Sequence, residues 1–78
     1  MSTIKELDPV ALTADLPAYG LKRGDVGTAV LVHGHGVAFE VEFVGYDGRT
    51  VALVTLERDQ VRALQAGDIP HARQLAAA

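Results

Sequence analysis

Glycine divides the first fifty residues of this chain into short pieces. Glycines stand at positions 20, 24, 27, 34, 36, 45 and 48, and the segments between them are rich in valine and other β-branched residues. Because each interior glycine costs a helix about 1 kcal/mol, none of these segments can form a stable helix. The spacing predicts short β-strands joined by tight turns.

Five strands are predicted, over residues 9–13, 28–32, 37–44, 50–56 and 61–64. A long loop, residues 14–23, follows the first strand, and residues 57–60 are predicted to form one helical turn before the last. A chain of 78 residues fits one domain. The predicted fold is all-β: a small five-stranded barrel over residues 7–64, with an N-terminal extension (1–6) and a flexible C-terminal tail (65–78). The last four residues resemble a junction that some expression vectors leave before a purification tag.

The third predicted strand has the clearest two-faced pattern. Phe39, Val41 and Phe43 alternate with Glu40 and Glu42, which indicates one buried and one solvent-facing side. The fourth strand is apolar on both sides, so the residues that it buries depend on the turn between the two strands.

Two registers of this hairpin remain open. A two-residue type I′ turn at Asp47-Gly48, which that dipeptide favours, leaves Val44, Val51 and Leu53 on the side away from the core. It pairs Phe43 with Ala52, Val41 with Val54 and Phe39 with Leu56. A three-residue loop with a bulge would exchange the two sides of the fourth strand.

In either register three apolar side chains lie outside the hairpin. They would expose on the order of 300 Å², and covering that area is worth about 7 kcal/mol at most. The alternatives are a cover formed by a terminal segment of the same chain and an interface with a partner or a second copy. A homodimer through this side of the hairpin is one form of the second alternative.

Several motifs support a more specific interpretation of the fold. They are Leu7-Asp8-Pro9-Val10, Asp15-Leu16-Pro17-Ala18-Tyr19-Gly20-Leu21, Lys22-Arg23-Gly24-Asp25-Val26-Gly27-Thr28 and Phe39-Glu40-Val41-Glu42-Phe43, followed by the Asp-Gly turn and residues 50–56. On these motifs the chain resembles a family of small bacterial proteins, domain-of-unknown-function family 4926. The resemblance implies an SH3-like barrel with no assigned activity and no catalytic residues, and it suggests toxin-like neighbours as partners.

Catalysis is not expected. The chain has no cysteine, which excludes thiolate nucleophiles and thiolate metal sites. Glu40 and Glu42 lie about 7 Å apart by strand geometry, but a barrel of this size offers no cleft deep enough to desolvate a substrate. His33 and His35 are weak candidates for a metal site, with His71 as a third ligand. Because His33 and His35 lie between glycines at a predicted hairpin tip, an exposed turn is the preferred interpretation, and no cofactor is expected.

The charge pattern points to a basic protein partner. The net charge is −3, and Asp15, Asp25, Glu40 and Glu42 would attract a basic surface. In SH3-like folds the loops corresponding to residues 15–23 and 33–36 flank the binding groove. Tyr19 is therefore the best single contact candidate, the alternative being a lid over the barrel end.

We therefore expect a cytoplasmic, non-catalytic protein-binding module that is antitoxin-like or accessory to a neighbouring gene product. Its predicted contact residues are Asp15, Tyr19, Glu40, Glu42, Val44, Val51 and Leu53. The alternative is a nucleic-acid-binding barrel, because residues 22–30 resemble the start of a KOW motif. The acidic balance of the chain disfavours that alternative. The sequence shows neither a signal peptide nor a membrane-spanning stretch.

Overall fold

The computed structural model describes residues 3–75 of the chain. Its strands are β1 (Pro9–Leu12), β2 (Val26–His33), β3 (Ala38–Val44), β4 (Thr50–Glu57) and β5 (Val61–Ala63), and two short 3₁₀ turns span Pro17–Tyr19 and Arg58–Gln60. Residues 1, 2 and 76–78 lie outside the described residues, and with them the start of the predicted extension and the final alanines of the vector-like ending. No helix within residues 3–75 has the length and apolar character needed to span a membrane.

All paired strands are antiparallel, and they hydrogen-bond in the order β4-β3-β2-β1-β5. The predicted all-β fold is confirmed, with its five strands, its long first loop and a helical turn before the last strand. The second strand begins earlier than predicted, because Val26 and Gly27 pair with Ala11 and Val10 of β1. The hydrogen-bonded ladder does not close into a ring, so β4 and β5 form the two edges of the sheet.

One side of the sheet supplies the core. All five strands contribute to it, together with one residue of the first loop: Val10, Leu12, Leu21, Ala29, Phe39, Val41, Phe43, Val54, Leu56 and Val61 are all buried. No helix covers this side within the described residues. The side chains can leave water only if the sheet curves around them, which gives a barrel-like shape.

The β3–β4 hairpin adopts the first of the two predicted registers by an unpredicted route. Phe43 lies opposite Ala52, Val41 opposite Val54 and Phe39 opposite Leu56. The turn is longer than a two-residue type I′ turn, because the N–H of Gly45 donates to the carbonyl of Arg49 at 2.8 Å. The register then shifts between Phe43 and Val44, which makes Val51 an extra residue in β4. This bulge compensates for the longer loop, so the expectation that such a loop would exchange the two sides was wrong.

Of the described glycines, Gly27 has the least space around it. A Cβ atom built there would lie 2.7 Å from Val41 Cγ1, 2.9 Å from the carbonyl oxygen of Glu42 and 2.9 Å from Phe43 Cε1. Two of these neighbours are core side chains and one is backbone, so none can move aside easily. At this position the absence of a side chain lets β2 lie directly against the core.

We expect Gly27→Ala to lower the free energy of unfolding by about 1–3 kcal/mol, because the added methyl group overpacks the core. Urea denaturation followed by circular dichroism measures the change. Gly67→Ala is the matched control, since nothing lies within 4 Å of a Cβ at Gly67. Equal midpoints for the two variants would contradict this close packing of β2 against the core.

Candidate protein-binding surface

Five aliphatic side chains are exposed on the side of β2, β3 and β4 that faces away from the core. They are Val26, Leu31, Val44, Val51 and Leu53, with exposed fractions between 37% and 59%. Together with the carboxylates of Glu40 and Glu42 we call them the outer face. The sequence predicted the three apolar members on β3 and β4, and the structure exposes all three.

A bulge in β2 adds Leu31, which the sequence analysis missed. The pairing of β2 with β3 shifts between Ala29 and Leu31, so that Ala29 lies opposite Val41 and Leu31 lies opposite Glu40. Val30 is the extra residue of this bulge. Residues 30–32 are all apolar, so their sequence carries no alternation from which the bulge could have been inferred.

Glu40 and Glu42 are hydrogen-bonded within the outer face. Glu40 Oε2 lies 2.8 Å from His33 Nε2 and also accepts from Thr55 Oγ1 at 2.8 Å. Glu42 Oε2 accepts from Thr50 Oγ1 at 2.7 Å. The His33 hydrogen bond is the main cause that lowers the pKa of Glu40. Both carboxylates are therefore held in place on the outer face, and the lowered pKa of Glu40 is opposite to the raised pKa that a general acid needs.

The strand β4 is an open edge of the sheet. Seven of its eight residues pair with β3 on one side, the exception being the bulge residue Val51, and it stands last in the strand order. Natural sheets usually protect such edges with charged side chains, proline, a bulge or a very short strand. In β4 the bulge at Val51 and the charge of Glu57 lie at the two ends, and residues 52–56 between them have none of these features. The other edge, β5, is three residues long and includes Arg62.

Asp25 is the buried charged residue of the described chain, with 8% of its surface exposed. The N–H of Lys22 donates to Oδ2 at 2.8 Å. Arg73 donates through Nε to Oδ1 at 2.9 Å and through Nη2 to Oδ2 at 2.5 Å. His71 Nε2 lies 3.1 Å from Oδ1. His71 and Arg73, which lie 46 and 48 positions further along the chain, thus complete the surroundings of this carboxylate.

These contacts keep Asp25 ionised. Burial alone raises the pKa of the Asp25 carboxyl, and the hydrogen bonds from Arg73, from the Lys22 N–H and from His71 oppose it. The hydrogen bonds outweigh the effect of burial, and the pKa falls from 3.8 to about 2. The sequence analysis used Asp25 only as a surface charge that attracts a basic partner. Two features of the sequence could have indicated a buried ion pair. Asp25 lies in a tight turn shortly after the apolar Leu21, and His71 and Arg73 are isolated basic residues in a tail without regular pattern.

The C-terminal segment, residues 64–75, follows an irregular path across the barrel. Arg62 of β5 holds Asp68 in two hydrogen bonds, at 2.9 and 3.0 Å. Beyond Asp68 the chain reaches Asp25, and a cleft of about 370 Å³ lies between this part and the outer face residues Val26, Val44 and Val51. The segment borders one end of the outer face, where Val26, Val44 and Val51 keep 37–46% of their surface exposed, and Leu53 keeps 59%.

The long first loop has internal structure around Tyr19. Leu16 and Leu21 pair across the Pro17–Tyr19 turn, and Leu21 is buried while Tyr19 is half exposed. Asp15 Oδ1 accepts the N–H of Arg23 at 2.8 Å and so stabilises the far side of the loop. Tyr19 and Asp15 are accessible, but they lie on this loop and are not part of the outer face.

The structure does not bring the three histidines together, and the two loops of the predicted groove line different clefts. His33 contacts Glu40, His71 contacts Asp25, and His35 lies at the hairpin tip with φ 60°. Within residues 3–75 no group of three side chains of the ligating types is arranged to hold a metal ion. Leu21 of the first loop lines the cleft beside Asp25, whereas His35 lines a different cleft, beside Phe39 and β5.

A family model described as "Domain of unknown function (DUF4926)" matches residues 6–63. No curated protein and no solved structure matches the chain. The matched region includes β1 to β5 and Asp25, but it ends before His71 and Arg73. The domain that the family model describes therefore holds the carboxylate, and residues outside it supply the cation.

We expect Arg73→Ala to lower the free energy of unfolding at pH 7, because it leaves the carboxylate of Asp25 without its main partner. The pKa of Asp25 lies lower in the folded chain, at about 2, than its ordinary value of 3.8. Its contribution is therefore present above pH 3.8 and is lost as the pH falls towards 2. The cost of the substitution should shrink over that range in urea denaturations at several pH values.

Arg58→Ala is the charge-matched control for this measurement. Arg58 is exposed, and its replacement should change the free energy of unfolding by less than about 0.5 kcal/mol at every pH. Equal costs for the two substitutions, or a cost of Arg73→Ala that does not change with pH, would contradict the ion pair.

Proposed function

The chain belongs to the DUF4926 family, a domain of unknown function, and we propose that it is a non-catalytic module that binds another protein chain. The observation that supports this proposal is the combination of an open edge strand with an apolar outer face. Either feature alone is common, but here β4 provides both at one place.

Strand addition is the binding mode that this combination favours. An extended partner segment can hydrogen-bond to the free backbone groups of an edge strand, while pockets for alternate side chains give specificity. Val51 and Leu53 of β4 would contact every second side chain of such a segment. Val44 of β3 and Leu31 of β2 extend the apolar surface inward from the edge.

The fixed charges of the outer face favour a basic partner. Glu42 lies opposite Leu53, and Glu40 lies opposite Leu31 and Thr55. A partner segment whose outward-facing side chains, at every second position, include both apolar and basic residues would match this arrangement, and the attraction would also accelerate its association. An antitoxin-like or accessory role in the cytoplasm, with a neighbouring gene product as the partner, is the setting that such a module fits.

The nucleic-acid alternative has weaker support. Lys22 and Arg23, the basic residues that begin the KOW-like stretch, lie beside Asp15 and Asp25, which accept hydrogen bonds from their backbone N–H groups. A phosphate-binding surface needs a local excess of positive charge. These aspartates reduce that excess at the one adjacent basic pair in the chain.

Photo-crosslinking in the producing cell tests the proposal. A benzophenone amino acid placed at Leu53 should form a covalent adduct of one discrete mass with a protein chain. The same group at Ile69 is the control. Ile69 is 90% exposed, but it should form no adduct, because it follows Asp68, which is held at the opposite edge of the sheet. Adding Val44→Glu to the Leu53 variant should abolish the adduct.

Three results would contradict the proposal. They are equal adducts at both positions, an adduct unchanged by Val44→Glu, and an adduct that nuclease removes. An adduct of twice the mass of the chain would identify the partner as a second copy and would agree with the proposal.

A further inference from the structure

The contacts of Arg73 have the geometry of arginine recognition. Its Nε and Nη2 atoms bind the two carboxylate oxygens of Asp25 side by side, at 2.9 and 2.5 Å. Nη2 also donates to the carbonyl oxygen of Gly20 at 3.1 Å. Such paired bonds match the planar guanidinium group, and the single ammonium of lysine cannot reproduce them. We call Asp25, the Lys22 N–H and the Gly20 carbonyl the Asp25 site.

The Asp25 site is built entirely by the domain that the family model matches. Gly20 adopts φ 68° at the end of the Pro17–Tyr19 turn, which directs its carbonyl group, and the Lys22 N–H orients the carboxylate. Without the C-terminal segment, this domain presents the Asp25 carboxylate with one of its described donors, the Lys22 N–H. A carboxylate that has lost its guanidinium partner favours another cationic group in its place.

The segment that fills the site is weakly attached elsewhere. Residues 64–75 contain no strand or helix, and the Arg62–Asp68 pair is their other side-chain link to the barrel. Ile69 is 90% exposed and Leu75 is 46% exposed, so the segment buries little apolar surface. Segments of this kind detach locally at a lower cost than global unfolding.

The Asp25 site also adjoins the outer face. The cleft that contains Asp25 is lined by Val26, Val44 and Val51, and these three are members of the outer face. A partner segment that binds along this face would therefore reach the carboxylate at the end of the cleft. There the side chain of an arginine could replace that of Arg73.

We propose that the Asp25 site is a receptor for an arginine side chain of the protein partner, and that Arg73 occupies the site until the partner displaces it. This inference rests on the proposed function and specifies the chemistry of the partner: an extended segment that contains an arginine. The C-terminal segment then acts as an internal competitor. The apparent affinity for the partner is then the intrinsic affinity multiplied by the fraction of molecules in which the site is free.

A synthetic peptide with the sequence of residues 69–75, Ile-Pro-His-Ala-Arg-Gln-Leu, is the probe for this proposal. It is titrated into the full-length, isotope-labelled chain while amide signals are followed by nuclear magnetic resonance. Full-length Arg73→Ala, whose site lacks its guanidinium group, should bind the peptide at least tenfold more tightly than the unaltered chain, with shifts at Gly20 and Asp25. Arg58→Ala removes the same charge elsewhere and should bind as weakly as the unaltered chain.

A second arm leaves the protein unchanged and alters the probe. Replacing the peptide arginine with citrulline, which keeps the shape and removes the charge, should weaken binding to Arg73→Ala at least tenfold, and replacement with lysine should weaken it similarly. Equal affinities of Arg73→Ala and the unaltered chain would overturn the proposal, as would binding that is insensitive to citrulline. A dimeric unaltered chain that becomes monomeric on Arg73→Ala would also overturn it, because the occupant would then be the segment of a second copy.

The two proposals fail separately. If the Leu53 adduct forms but the peptide does not bind, the domain is a protein-binding module without an arginine receptor. If the peptide binds at Gly20 and Asp25 but no adduct forms at Leu53, the site recognises arginine and the role assigned to the outer face is wrong.

Discussion

A single five-stranded sheet without a covering helix can bury only one of its two sides, and most features of this chain follow from that constraint. The inner side chains of all strands and Leu21 of the first loop form one aliphatic core around which the sheet curves. At Gly27 there is no room even for a methyl group. The opposite side of β2, β3 and β4 then has nothing within the barrel to pack against. Its valines and leucines remain exposed, next to an edge strand whose backbone groups are available to another chain.

The C-terminal segment borders this exposed side across a cleft, and an ion pair holds it there. Its attachment depends on Asp25, a carboxylate that burial would make costly and that Arg73, His71 and the Lys22 N–H keep ionised. An ion pair of this kind is specific in its geometry, but it adds little net stability compared with apolar packing. A segment held in this way is therefore exchangeable, because a competing guanidinium group can form the same hydrogen bonds with the carboxylate. The structure thus connects the exposed apolar surface with a defined charge at one end of it.

The sequence predicted the strands because glycines separate them, and it predicted the buried side of β3 because that depends on local alternation. It left the two sides of β4 open. Phe39, Val41 and Phe43 alternate with glutamates, and that pattern alone determines which side of β3 is buried. The pattern could not reveal the two bulges. Val30 lies in a continuous apolar run, and the Asp47-Gly48 dipeptide is compatible with loops of two lengths. The Asp25–Arg73 pair joins residues 48 positions apart, and a contact at that distance leaves no periodic signal in a tail without regular structure.

Amide hydrogen exchange along β4 tests the central claim, that the sheet has an unpaired edge beside its exposed side. In the dilute, isolated chain, alternate amides of residues 52–57 should exchange slowly, because every second N–H of an antiparallel edge strand pairs with β3 and the others point away from the sheet. The amides of β3, which is paired on both sides, should all be protected. Uniform protection along β4 would show that its outer edge is already paired, and it would contradict the claim of an open edge.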